Sequence, residues 1–115
     1  MARRKTKPED GRAAMVAYAE GDPAAVTVAV RFLLEELAEQ APGNTVEVRV
    51  PPLGATQCIA GPRHTRGTPP NVVEMTPHIW FQLATGQLLW NQAVEQGLVS
   101  ASGVRADLSE VLPLI

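Results

Sequence analysis

Cys58, His64 and His78 are the side chains of this sequence best suited to covalent or metal chemistry, and their spacing serves neither. A cysteine–histidine nucleophile pair needs a third group to orient the base, and no residue stands at a recognisable spacing to do so. A structural zinc site needs four ligands arranged as close pairs, whereas His64 and His78 are far apart and the one cysteine has no neighbour. Cys58 also falls within a segment that reads as a strand, where a free thiol behaves as a small buried hydrophobe. The acid pairs Glu35-Glu36 and Asp107 with Glu110 read as charged faces of surface helices. No spacing brings nucleophile, base and oxyanion donors together, so the chain reads as non-catalytic, with no metal site and no cofactor.

Two other constellations are candidates for binding. Arg63, His64 and Arg66 stand beside Gly61 and Gly67, with Thr65 and Thr68 interleaved. Two guanidiniums and the amides that glycines leave open suit a phosphate, a carboxylate or a partner protein; the alternative is a solvated hairpin tip. The Gly-Lys-Ser/Thr ending of a phosphate loop is missing. The second constellation is apolar. Trp80, Phe81 and Trp90 place three of the five aromatics within eleven residues, alongside Leu83, Leu88 and Leu89. Such a run packs a core or walls a cavity, and tryptophan often leaves an edge at a pocket mouth. The chain end, Val111, Leu112, Leu114 and Ile115, is apolar and must insert into that cavity or against a second copy. The candidate ligand-binding set is therefore Trp80, Leu83, Leu89, Trp90, Val99, Leu112 and Leu114. Val30, Leu33, Leu34 and Leu37 form the opposing core.

These side chains need elements to hold them. Asp10 is placed to cap a helix ending near Glu20, before Gly21. Asp22-Pro23, a cap followed by a first-turn proline, opens a second helix that Pro42-Gly43 ends. Its Val26, Ala29, Val30, Leu33, Leu34 and Leu37 recur at three- and four-residue steps, with Thr27, Arg31, Glu35 and Glu39 opposite. Arg31 and Glu35 are one turn apart and positioned to pair. Thr45–Val50 alternates strictly and predicts a strand with Val46, Val48 and Val50 on its buried face. Ala55–Ala60 pairs with it as a hairpin. Pro62–Pro70 is an aperiodic loop or edge strand, and Asn71–Met75 a short strand. Thr76-Pro77 starts another helix that stops at Gly86, and a further helix spans Leu88–Gln96. Leu98–Ala101 is strand-like, and Arg105–Leu112 is a last helical turn or two before Pro113.

The 115 residues have room for one domain. Residues 1–9 read as a basic flexible tail and 10–115 as a single domain. With 10 basic and 12 acidic residues the net charge is -2, which disfavours general nucleic-acid binding. A single cysteine makes no intramolecular disulfide. No apolar run follows the basic N-terminus and none is long enough to span a bilayer, so a cytoplasmic location without a transmembrane segment is expected.

From Thr45 onward the element order resembles the sterol carrier protein-like family. The runs N-V-V-E-M-T-P-H-I-W-F-Q-L-A-T-G and Q-L-L-W-N-Q-A-V-E-Q-G-L-V-S-A-S-G look like its strand, capped helix, second short helix and last strand. R-A-D-L-S-E-V-L-P-L-I sits where that family places its C-terminal helix. The segment Gln57–Glu74, Q-C-I-A-G-P-R-H-T-R-G-T-P-P-N-V-V-E, is similar to one in a short bacterial branch of sterol carrier protein orthologs. The resemblance covers roughly residues 23–115 and implies a non-catalytic domain holding a lipid-like ligand in a cavity between sheet and helices. The expected fold is α+β, with a four- to five-stranded, mostly antiparallel sheet and helices on one face. The expected partner is an apolar small molecule. Two alternatives stand beside it: an interaction or regulatory subunit with a self-filled cavity, contacting a partner or anion through Arg63–Thr68, and a homodimer through the apolar C-terminus.

Overall fold

The computed structural model describes residues 5–61 and 71–115. Helix α1 spans Pro8–Ala19 and begins two residues before the cap expected at Asp10. Pro8 occupies the first helical position, where its missing N–H costs nothing, and Glu9 and Asp10 fall in the first turn, where acidic charge is favoured. Gly21, at φ +105°, makes the reversal into the next element. There Asp22 accepts from the Ala24 amide at 3.0 Å and caps a 3-10 turn, Pro23–Ala25, which runs into helix α2, Val26–Gln40.

Helix α2 is the centre of the domain. Ala29, Val30, Leu33 and Leu37 are wholly buried and Leu34 nearly so, as the apolar spacing predicts, and Phe32 and Ala38 broaden that stripe. Phe32 faces α1 rather than the sheet. A Cβ on Gly11 would lie 2.2 Å from the root of the Phe32 ring, so only glycine lets the two helices approach this closely. Arg31 and Glu35 do not pair with each other. Arg31 Nε donates to the Leu53 carbonyl at 2.7 Å, and Glu35 accepts from the Thr6 amide at 3.0 Å and its hydroxyl at 3.2 Å. Each charged group thus finds a backbone partner from a different element, which a sequence reading confined to one helix does not see.

Four strands follow: β1 Val46–Val50, β2 Gly54–Cys58, β3 Asn71–Glu74 and β4 Ser100–Ser102. They form one sheet in the order β2-β1-β3-β4. The β1–β2 hairpin and the β3–β4 pair are antiparallel, and β1 runs parallel to β3. The sheet is therefore mixed, and mostly antiparallel as expected. Val46, Val48 and Val50 point inward and are at most 1% exposed; Cys58, opposite Val46, and Val73, opposite Val48, are wholly buried on the same face. Arg49, Ala55, Gln57, Glu74, Ser100 and Ser102 are exposed on the other face, where Arg49 donates to Glu47. One wet face and one dry face is what strict alternation in an antiparallel pair demands.

Helix α3, Pro77–Ala84, opens on the Thr76 cap, whose hydroxyl accepts from the Ile79 amide at 3.4 Å. Helix α4, Trp90–Glu95, is shorter than the Leu88–Gln96 span the sequence suggests, because Leu88 and Leu89 form the approach to it. The C-terminal helix expected at Arg105–Leu112 is a single turn. The Ser109 amide donates to Asp107 at 2.8 Å, and the Val111 and Leu112 amides bond to the Leu108 carbonyl. Pro113 lacks the donor to continue. Ser109 holds the Asp107 carboxyl below the usual carboxylate range. A depressed folded pKa means that this contribution is present above the unfolded carboxylate value and is lost as pH falls through the folded one. Among the described residues, no helix is long and apolar enough to cross a membrane.

Candidate functional site

The residues that the sequence nominated for an apolar ligand divide between core and surface. Trp80 is 0% exposed, and its indole Nε1 donates to the Val30 carbonyl at 3.3 Å, so its one polar atom is satisfied inside the core. Leu83 and Trp90 are also buried, whereas Leu89 is 57% exposed at the start of α4. Val99, Leu112 and Leu114 are half-buried and pack against the core. The Leu114 amide donates to the Ala84 carbonyl at 2.9 Å, and the Leu114 carbonyl accepts from Gln40 Nε2 at 3.3 Å. The apolar chain end is thereby tied to the ends of α3 and α2, with Ile115 left largely exposed. Arg63, His64 and Arg66, with the rest of the Arg63–Thr68 constellation, lie outside the described residues.

Cys58 is wholly buried, and burial pushes its thiol up to about 11. A thiolate is what attacks and what binds metal, and this environment withholds it. Thiol reagents at mildly alkaline pH are expected to leave the native protein unmodified and to label Cys58 only after denaturation; mass spectrometry showing rapid native labelling would contradict this placement. Among the described residues, no group of three histidine, cysteine or acidic side chains is arranged to hold a metal ion.

A broad concavity lies elsewhere, between α2 and the edge strand β2, with a volume of about 1430 Å³. Val28, Arg31, Leu34, Glu35, Ala38 and Glu39 form one wall at three- and four-residue steps along α2. Leu53, Gly54, Ala55, Thr56 and Gln57 form the other, and Pro42, Gly43 and Asn44 close one end. A Cβ on Gly54 would lie 3.3 Å from Leu34 Cδ1, so glycine brings the start of β2 against the helix. Lys5 and Thr6 line the groove too, held there by the Thr6–Glu35 bonds. The walls are apolar through Val28, Leu34, Ala38 and Leu53, while the charged groups of Lys5, Arg31, Glu35 and Glu39 stand around them.

The sequence reading placed Leu34 in the core and Arg31, Glu35 and Glu39 on the solvent side of α2. It passed over Val28, Ala38 and Leu53. The available signal was a second stripe, 28-31-34/35-38/39, beside the core stripe on the same helix.

A mixed four-stranded sheet with helices packed on its buried face is an α+β fold consistent with a sterol carrier protein-like domain. The chain belongs to the family described as the bacterial SCP ortholog, which matches residues 22–114. No curated protein matches the chain.

Proposed function

We propose that this protein is a non-catalytic binding module for an apolar, lipid-like molecule, carried in the groove between α2 and β2. The observation that carries the reading is the groove itself: an open concavity of about 1430 Å³ with Val28, Leu34 and Ala38 along its helix wall and Leu53 facing them. Membership of the bacterial SCP ortholog family supports the ligand class. The buried, unreactive Cys58 supports binding without catalysis. An acyl chain lies along Val28, Leu34, Ala38 and Leu53, and its polar end meets the charged side chains at the rim.

An environment-sensitive fatty-acyl probe tests the site through its own emission, since Trp80 and Trp90 are buried away from the groove lining. The wild-type protein is expected to bind the probe at tens of micromolar or tighter, roughly -6 kcal/mol. Val28 is 41% exposed and lines the groove, so Val28→Trp fills ligand volume from an accessible position. Its stability is expected to change by about 0.5 kcal/mol or less, while probe affinity falls at least about tenfold, a loss of about 1.4 kcal/mol. Unchanged affinity in Val28→Trp moves the site away from α2, and an unresponsive wild-type protein ends the carrier reading.

A further inference from the structure

A second, smaller pocket lies where the end of α1 and the Gly21 reversal meet α3. Its volume is about 350 Å³, the low end of the range for small-molecule sites and suited to a single ring. Tyr18, Pro23 and Phe81 give it flat apolar walls, and His78 and Gln87 give it polar ones. The Tyr18 and Phe81 rings meet edge to face, with centroids 4.8 Å apart and planes at 80°. Tyr18 and His78 are joined by a hydrogen bond of 2.8 Å between the phenol oxygen and Nδ1. The fold anchors the aromatic wall and the reversal: Phe81 is 3% exposed, and the Gly21 amide donates to the Tyr18 carbonyl at 3.0 Å.

The hydrogen bonds define what the pocket offers. Whichever of the hydroxyl and Nδ1 donates in that bond, the Tyr18–His78 pair keeps one N–H or O–H free for a guest. Gln87 Nε2 donates to the Thr85 hydroxyl at 3.2 Å, which leaves its carbonyl oxygen as a free acceptor. One donor and one acceptor beside flat aromatic walls match a planar ring whose edge carries an acceptor and a donor together. A primary aromatic carboxamide has that edge.

We infer that the pocket formed by Tyr18, Pro23, His78, Phe81 and Gln87 is a binding site for a small planar aromatic carboxamide, separate from the apolar groove. Tyr18 and Gly21 precede the residues that match the family, whereas Pro23, His78, Phe81 and Gln87 lie within them. Helix α1 therefore completes a site that residues 22–114 alone leave open.

Titrating the full chain with benzamide, followed by backbone amide correlation spectra, tests the inference. Saturable shifts are expected at Gly21, His78, Phe81 and Gln87, with a dissociation constant in the millimolar range or tighter. Cyclohexanecarboxamide keeps the amide and loses the flat ring, and is expected to bind several-fold more weakly. His78→Ala and Gln87→Ala alter exposed side chains and preserve the fold, and each is expected to weaken benzamide at least about threefold. A fatty-acyl ligand is expected not to compete, so failure here and failure of the groove are told apart. Linear, unsaturating shifts, shifts scattered over the surface, or wild-type affinity in both alanine variants would overturn the assignment.

Discussion

Val48→Asp is expected to leave no folded protein. Val48 is 0% exposed in the central strand β1, opposite Thr56 of β2 and Val73 of β3, on the face that meets the helices. A carboxylate there has no cation to pair with among the described neighbours on that face, and the wet side of the sheet is one residue away in register. Burying it costs several kcal/mol, against a typical total stability of about 5–15 kcal/mol. The expected observation is an insoluble protein or one without a cooperative melting transition. Gln57→Asp, on the exposed face of the neighbouring strand, is the matched control and is expected to stay within about 0.5 kcal/mol of wild type. A Val48→Asp protein that melts cooperatively near the wild-type temperature would mean that the strand's faces are reversed.

Gly43→Ala is expected to produce the next largest loss. Gly43 has φ +147°, which a side chain rarely tolerates, and an added Cβ would lie 2.0 Å from the Ile59 carbonyl oxygen. That oxygen cannot move aside freely, because Ile59 is bonded on both sides. Its amide donates to the Ala41 carbonyl at 2.7 Å, and its carbonyl accepts from the Thr45 amide at 3.1 Å. Backbone strain of about 1–3 kcal/mol and overpacking of about the same size act together. The combined loss of roughly 2–6 kcal/mol lowers the melting temperature by about 10 °C or more. A variant as stable as wild type would show that the α2–β1 connection takes another path.

What was legible in the sequence was what short-range physics decides. Asp22-Pro23 and Thr76-Pro77 each satisfy helix-start donors within three residues, and both caps are where the sequence put them. The alternation of Val46, Val48 and Val50 fixed which face of β1 is dry. The start of α1 was harder, since Asp10 and Pro8 both favour a first turn and only packing onto α2 decides between them. The parallel pairing of β1 with β3 is set by a contact across more than twenty residues, which no local pattern encodes.

The site was less legible than the fold. Tryptophans beside short helices suit a cavity wall as well as a core, and Trp80 went to the core because the Val30 carbonyl accepts its N–H. The groove has a subtler signature. Its helix wall is a stripe that mixes Val28 and Ala38 with Arg31, Glu35 and Glu39, and such a stripe looks like an ordinary solvated face until a strand edge is set beside it. Leu53 shows the same dependence: it sits in a tight turn, bonded from its amide to the Val50 carbonyl at 2.8 Å, and gains its place in the groove from the hairpin.

The central claim, that an apolar ligand lies between α2 and β2, is tested most directly by isotope-filtered contacts between a ¹³C-labelled fatty acid and the methyl groups of the protein. Contacts are expected from the acyl chain to Val28, Leu34, Ala38 and Leu53, and none to Leu89 or Val99. Contacts to Leu89, Leu112 and Leu114 instead, or no contacts at saturating fatty acid, would contradict it.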